Sequence, residues 1–215
     1  MHDAGRQSGF TLVELLVAIS VLAIVAVLGW RGLDGIVRAR EALNKDLDQT
    51  RGMQLAFAQM QNDCARIADS KSLEQRPTLA AEANRLTLVR NVFLENQPSR
   101  VQVVAYRLVD GVLTRRESVP TREFRELDAL WQAFATDTDR SQPVPLQPGV
   151  SAMDIRTWSG NGGWQGGPVA GGKPVPNPNN VPLANPPTDL RGIEVALQLN
   201  GRVNRMTKIF LLGAE

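Results

Sequence analysis

The sequence predicts an α+β protein in which one long amino-terminal helix precedes an antiparallel β-rich region. Two observations carry that prediction. A nearly uninterrupted apolar run begins at Phe10 and passes into a helical apolar period, and from Asn84 the period becomes that of strands, with Asp-Gly and Asn-Gly pairs between them.

The run from Phe10 to Trp30, FTLVELLVAISVLAIVAVLGW, is apolar except for Thr11, Glu14 and Ser20. About 20 apolar residues suffice to cross a hydrocarbon core, so residues 10–30 are expected to span a membrane. A secretory signal peptide would have an apolar region of about 7–15 residues and a small-residue cleavage site after it. This run is longer, and no clean A-x-A site follows. The helical period then continues through Leu33, Ile36, Val37, Leu43 and Leu47 to Met53, Phe57, Met60, Cys64 and Ile67. A helix from Phe10 to about Ala68 would be roughly 90 Å long, with its first half spanning and its second half, over 31–70, packing. Gly29, Gly32, Gly35 and Gly52 each weaken a helix interior by about 1 kcal/mol, which favours bends or local melting near them and places any hinge at residues 29–35.

Residues 71–215 are expected to form the β-rich region. Pro77 ends the helical pattern. RLTLVRN, VQVVAYRL and GVLTRRES follow as strands, and the Asp110-Gly111 turn places Tyr106, Leu108, Val112 and Leu113 near a buried face or edge. Phe124, Leu127, Leu130, Trp131 and Phe134 recur at helical spacing within residues 123–135 and predict a short amphipathic helix. VSAMDIRTW, RGIEVALQL and VNRMTKIFLL read as later strands, the last two joined at Asn200-Gly201. Between them residues 159–189 are rich in Gly, Pro and Asn and read as a long loop.

A chain of 215 residues with net charge +2 is no polycation, so no nucleic acid is expected as a main partner. The only histidine is His2 and the only cysteine is Cys64, which excludes an internal disulfide and disfavours imidazole catalysis and zinc chemistry. No catalytic residue, metal ligand, cofactor or small-molecule substrate is expected. Cys64 lies on the apolar stripe and reads as a core residue. The loop glycines precede no helix and lack a Gly-Lys-Ser/Thr ending, so nucleotide binding is disfavoured. Asp137 and Asp139 have the alternation of a calcium loop without its glycine and terminal glutamate, and read as a solvated acidic turn. Trp158 and Trp164 read as core or loop-pinning side chains in preference to an exposed interaction anchor.

The junction Gly9-Phe10-Thr11-Leu12-Val13-Glu14 resembles the processing signature of type IV pilins and pseudopilins. That resemblance implies a leader of residues 1–9, cleavage between Gly9 and Phe10 by a prepilin peptidase, methylation of the Phe10 amine, and pairing of Glu14 with the terminal amine of a neighbouring subunit. The residues make chemical sense of it, since glycine leaves the scissile backbone unhindered and a carboxylate at the start of a membrane helix demands a partner. The alternative for Glu14 is an interfacial carboxylate reaching headgroups. The run Gly29-Trp30-Arg31-Gly32-Leu33-Asp34-Gly35 is similar to the GspJ family of type II secretion minor pseudopilins. The resemblance implies a pilin-like fold with the helix packed on a carboxyl-terminal two-sheet domain. It also implies a single-pass inner-membrane anchor with that domain in the periplasm. The implied partners are the sister minor pseudopilins GspI, GspK and GspH, the pseudopilus, the peptidase and membrane lipid. The implied role is non-catalytic, to initiate or cap the pseudopilus. Charge alone does not choose the topology, because Arg31, Arg38 and Arg40 follow the apolar run while Arg6 precedes it. A PilW-like minor pilin of a type IV pilus shares the signature and helix and stands as the alternative. A membrane-anchored periplasmic enzyme built on Ser151 and Lys173 is a second one, supported by no motif.

Overall fold

The computed structural model describes residues 11–93, 95–160, 163–166 and 190–213. The chain divides into two compact units, Met1–Asp48 and Gln49–Glu215. The first unit contains the beginning of helix α1, which runs from Leu12 to Ala65. Its apolar side chains from Leu12 to Leu28 are all exposed, the pattern of a segment that has lipid as its solvent. Ser20 returns its hydroxyl to the Leu16 carbonyl at 2.8 Å, so this polar group is satisfied inside the apolar run.

Two expectations for this unit are corrected. The helix continues through Gly29, Gly32 and Gly35 without a break, so the local melting that the glycines favour does not occur there. Each glycine weakens the helix, yet the regular i→i−4 ladder needs no side chain, and beyond the adjoining backbone of the helix itself nothing lies within 4 Å of where their Cβ atoms would be. Leu33, Ile36, Val37, Leu43 and Leu47 are exposed rather than packed. The apolar stripe becomes buried only within the second unit, from Met53 onward.

The second unit is built around residues 49–65 of α1 and two antiparallel sheets. The first sheet takes β1 (Leu79–Glu82), β2 (Arg85–Val92), β3 (Arg100–Val109), β4 (Val112–Glu117) and β5 (Val144–Pro148) in sequential order. The second orders β7 (Gly163–Gln165), β6 (Val150–Ser159), β8 (Leu190–Leu199) and β9 (Met206–Leu211). Helix α2 (Phe124–Ala135) lies between β4 and β5 in the chain. The main core joins Met53, Ala56, Phe57, Met60 and Cys64 of α1 to Leu86, Leu88, Val104, Tyr106 and Leu113 of the first sheet. Met153, Ile193, Val195, Leu197 and Phe210 enter it from the second sheet. The other face of the first sheet presents Val89, Val103 and Ala105 to Leu127 and Phe134 of α2. Strand β3 is therefore covered on both faces, which is why VQVVAYRL is nearly continuous in apolar residues. Each fully buried large side chain contributes about 1.5–3 kcal/mol of transfer free energy.

The turns follow from their residues. Asp110 and Gly111 both have positive φ, 50° and 76°, the twist-matched geometry of a two-residue hairpin between β3 and β4. Only Gly149 separates β5 from β6, and with φ at 74° it turns the chain from one sheet into the other. Asn200-Gly201 turns the chain as expected, with Arg202 N–H donating to the Leu199 carbonyl at 3.2 Å, but β9 resumes only at Met206 rather than at Val203. Strands β1, β5 and β7 were not foreseen. β5 carries Pro145 and Pro148, tolerated because it is an edge strand. α1 ends at Ala65, and Ala68 N–H already donates to the Val89 carbonyl at 2.8 Å, so the chain bridges to β2 before the turns at 70–75 lead it to β1.

Candidate functional site

The expected assembly element is the start of α1, and there the local chemistry is a capping box. Thr11 is the residue before the first helical position, and Glu14 is the third helical residue. The Thr11 N–H and hydroxyl donate to Glu14 Oε2 at 3.0 and 2.9 Å, and the Glu14 N–H donates back to Thr11 Oγ1 at 3.3 Å. This reciprocal pairing satisfies otherwise orphaned donors at a helix start and places a carboxylate at the positive end of the helix dipole. The T-x-x-E spacing was visible in the sequence, but Glu14 was weighed only as an amine partner or headgroup contact. Gly9 and Phe10, the expected cleavage and methylation positions, lie outside the described residues. Among the described residues one helix, α1, is long and apolar enough to cross a membrane.

A second polar centre, missed by the sequence reading, lies in the core of the second unit. Asp63 is fully buried on α1. Its Oδ1 accepts from Arg90 Nη1 at 2.7 Å, Arg115 Nη2 at 3.2 Å and Gln59 Nε2 at 3.4 Å. Its Oδ2 accepts from Arg115 Nε at 2.8 Å and from the Tyr106 hydroxyl. Arg115 thus grips the carboxylate with two donors in the fork geometry that favours arginine. Glu117 Oε2 joins both guanidinium groups, at 2.7 Å from Arg115 and 3.3 Å from Arg90, so two acids balance two arginines. Gln102 Oε1 accepts from Arg90 Nε and Nη2 at 3.2 and 2.9 Å. Burial raises the Tyr106 hydroxyl pKa, the Asp63 charge adds to that, and the phenol stays a donor. Burial pulls the Arg115 pKa down, but hydrogen bonding and charge from Asp63 outweigh it and hold the guanidinium charged. Beside it, burial and then the Asp63 charge push the Cys64 thiol up to about 12, the behaviour of an inert core cysteine. The available signal was an aspartate three residues after Met60 on a stripe otherwise apolar.

The acidic turn is only partly solvated: the Asp137 side chain is 49% exposed, whereas that of Asp139 is 3% exposed. Asp137 pairs with Arg107 and, at 2.7 Å, with Arg85, while Asp139 lies 3.2 Å from Arg116. Arg107 and Arg85 also donate to the Phe134 and Ala135 carbonyls at the end of α2, a cationic cap on the negative helix terminus. Burial is the first cause of a lowered Arg107 pKa. Among the described residues no group of three or more His, Cys, Asp or Glu is placed to hold a metal ion.

Trp158 and Trp164 face each other across β6 and β7, edge to face with centroids 5.4 Å apart, and the Arg156 guanidinium lies 5.3 Å from the Trp164 ring. Arg156 in turn donates to Glu194 at 2.7 Å. Trp158 keeps 38% exposure, so the pair pins the short β7 from the sheet's outer face instead of filling the core. Ser151 is exposed and donates to the Gln198 carbonyl at 3.2 Å; Lys173 lies outside the described residues.

Known proteins share this arrangement of sequence. The family model described as type II secretion system, protein J, matches residues 31–212, and a prokaryotic N-terminal methylation motif matches residues 5–30. The chain belongs to the type II secretion system protein J family. Its class is accordingly that of the type II secretion minor pseudopilins, as the run at Gly29–Gly35 implied. The type II secretion system protein J of Klebsiella pneumoniae is 31% identical over 121 residues, 51% of this chain and 61% of that relative. The aligned stretch therefore spans less than two thirds of the relative's own length. Of the two machines left open by the sequence, the family match is to secretion. It is also a match to a membrane-anchored class, in keeping with the apolar start of α1.

Proposed function

We propose that this protein J family member acts without catalysis in the tip complex of a type II secretion pseudopilus, where it initiates or caps assembly for export of folded proteins. The observation that carries the reading is the joint match of the methylation motif over residues 5–30 and the protein J model over residues 31–212, continuous along one helix-led chain. In this reading a prepilin peptidase removes residues 1–9 and Phe10 becomes the methylated amino terminus. The apolar start of α1 anchors the protein in the inner membrane, the carboxyl-terminal region lies in the periplasm, and GspI, GspK and GspH are its neighbours.

Glu14 then has two successive roles. Within one chain it closes the capping box with Thr11. During assembly it meets the terminal amine of an adjacent subunit, where a buried carboxylate in lipid finds its counter-charge. Co-expression with and without a prepilin peptidase, followed by intact mass measurement, tests the proposal. The expected product begins at methylated Phe10 only when the peptidase is present. An intact leader, or cleavage beyond Trp30, overturns the reading.

A further inference from the structure

The buried Asp63 centre raises a question of purpose, because a desolvated ion pair is a poor way to stabilise a core: well-packed apolar residues of similar volume often do as well or better. The face of α1 that it interrupts offers the answer. Met53, Ala56, Phe57, Met60 and Cys64 form a stripe of apolar side chains at steps of three and four. Such a stripe seated one helical turn away, about 5.4 Å along the axis, still meets an apolar surface. Two of its members are methionines, which adapt to irregular gaps. Apolar contact alone therefore specifies the position of this segment weakly.

Asp63 cannot be displaced in the same way. Its two oxygens accept from Arg90 on β2, Tyr106 on β3 and Arg115 on β4, three adjacent strands of one sheet. The Arg115 and Arg90 side chains are only 9% and 15% exposed. A shift of one turn would carry the carboxylate away from all three donors and leave buried charges uncompensated on both sides.

We propose that Asp63 is a positioning residue, which fixes the axial and rotational seat of the α1 segment Gln49–Ala65 on the first sheet through its bonds to Arg90, Tyr106 and Arg115. The apolar stripe supplies the burial, and the carboxylate selects one seat among several that burial would accept. The seated helix keeps Cys64 inaccessible and leaves Leu55 outward.

The chain's single cysteine makes this measurable. The full processed chain in detergent micelles is treated with a maleimide under native conditions, and the labelling rate of Cys64 is compared with the thermal midpoint. The decisive variant is Asp63→Leu/Tyr106→Phe/Arg115→Met, which replaces the centre by apolar side chains and leaves Arg90 paired with Glu117. The expected result is a midpoint close to that of the native chain with Cys64 labelled at least about tenfold faster, because a helix with several seats exposes it more often. Asp63→Asn, which leaves Glu117 as the one acid facing both Arg90 and Arg115, is expected to lower the midpoint as well. Native-like protection of Cys64 in the triple variant overturns the proposal, since the apolar stripe would then set the seat unaided. A midpoint that falls in step with the faster labelling also overturns it, since the centre would then be serving stability and not placement.

Discussion

Gly52→Ala inverts the usual effect of replacing a helix glycine. An alanine in a helix interior is favoured over glycine by about 1 kcal/mol. At this position, however, an added Cβ would stand 2.0 Å from Gln147 Oε1 and 3.1 Å from the adjoining amide carbon. Gln147 on β5 is itself only 1% exposed, and its Nε2 is committed to the Pro148 carbonyl at 2.8 Å, so the amide cannot swing into solvent. Forcing one extra methyl into such a site costs about 1–3 kcal/mol. The net expectation is destabilisation of about 1 kcal/mol, a fall of about 2–4 °C in the thermal midpoint of a unit of this size. With Gln147→Ala as background the obstruction is gone, and Gly52→Ala should then stabilise by up to about 1 kcal/mol. Thermal melts of the four proteins, followed by tryptophan fluorescence in detergent micelles, complete the double-mutant cycle. The reasoning is refuted if Gly52→Ala raises the midpoint equally in both backgrounds, because the helix and β5 would then not be in the close approach that the glycine permits.

Other perturbations read different parts of the molecule. Phe57→Ala, which removes a ring 6.1 Å from that of Phe210 in the main core, should cost about 3–5 kcal/mol in a urea melt; a loss below about 1 kcal/mol would place Phe57 outside the core. Thr11→Ala should reduce helicity at the start of α1 through loss of the cap, by about 1 kcal/mol, while leaving incorporation into the pseudopilus intact. Glu14→Ala removes the carboxylate half of the capping box, keeps the residue-14 N–H bond to Thr11 Oγ1, and should weaken incorporation while sparing leader cleavage; equal assembly of the two variants in a pull-down would count against the amine-pairing role. Asp137→Ala removes the carboxylate paired with the buried Arg107, which keeps only its bond to the Phe134 carbonyl, and should loosen the end of α2 by about 1–2 kcal/mol, the half-exposed carboxylate tempering the cost; hydrogen exchange over residues 124–135 reads it.

What was legible in the sequence was what local pattern determines. Asp110-Gly111 announced its hairpin because few residues other than Asn, Asp and Gly accept two successive positive φ values. The α2 helix was visible because its apolar residues recur at one helical spacing over a single short segment. Strand β1, LAAE, was not visible, since alanine and glutamate carry little β-propensity and it forms by pairing with β2. Strand β5 was hidden by its two prolines, which argue against a strand everywhere except at an edge, and edge position is a property of the assembled sheet. The Asp63 centre was invisible for the same reason, as Arg90 and Arg115 sit 27 and 52 residues away and each reads alone as a solvated strand cation.

The burial of α1 shows how one helix serves two solvents. Between Leu12 and Leu28 its large apolar side chains are exposed, and such a surface suits hydrocarbon rather than water. From Met53 the buried apolar residues lie on one face, and the outward face carries Gln54, Gln61 and Asn62 beside an exposed Leu55. An all-round apolar helix in lipid has no preferred rotation imposed by water, whereas a striped helix on a sheet does. The device that specifies one seat is thus required only in the second region. There the chain places Asp63, one buried charge on a face that would otherwise accept several positions, and the sheet answers it with donors from three strands.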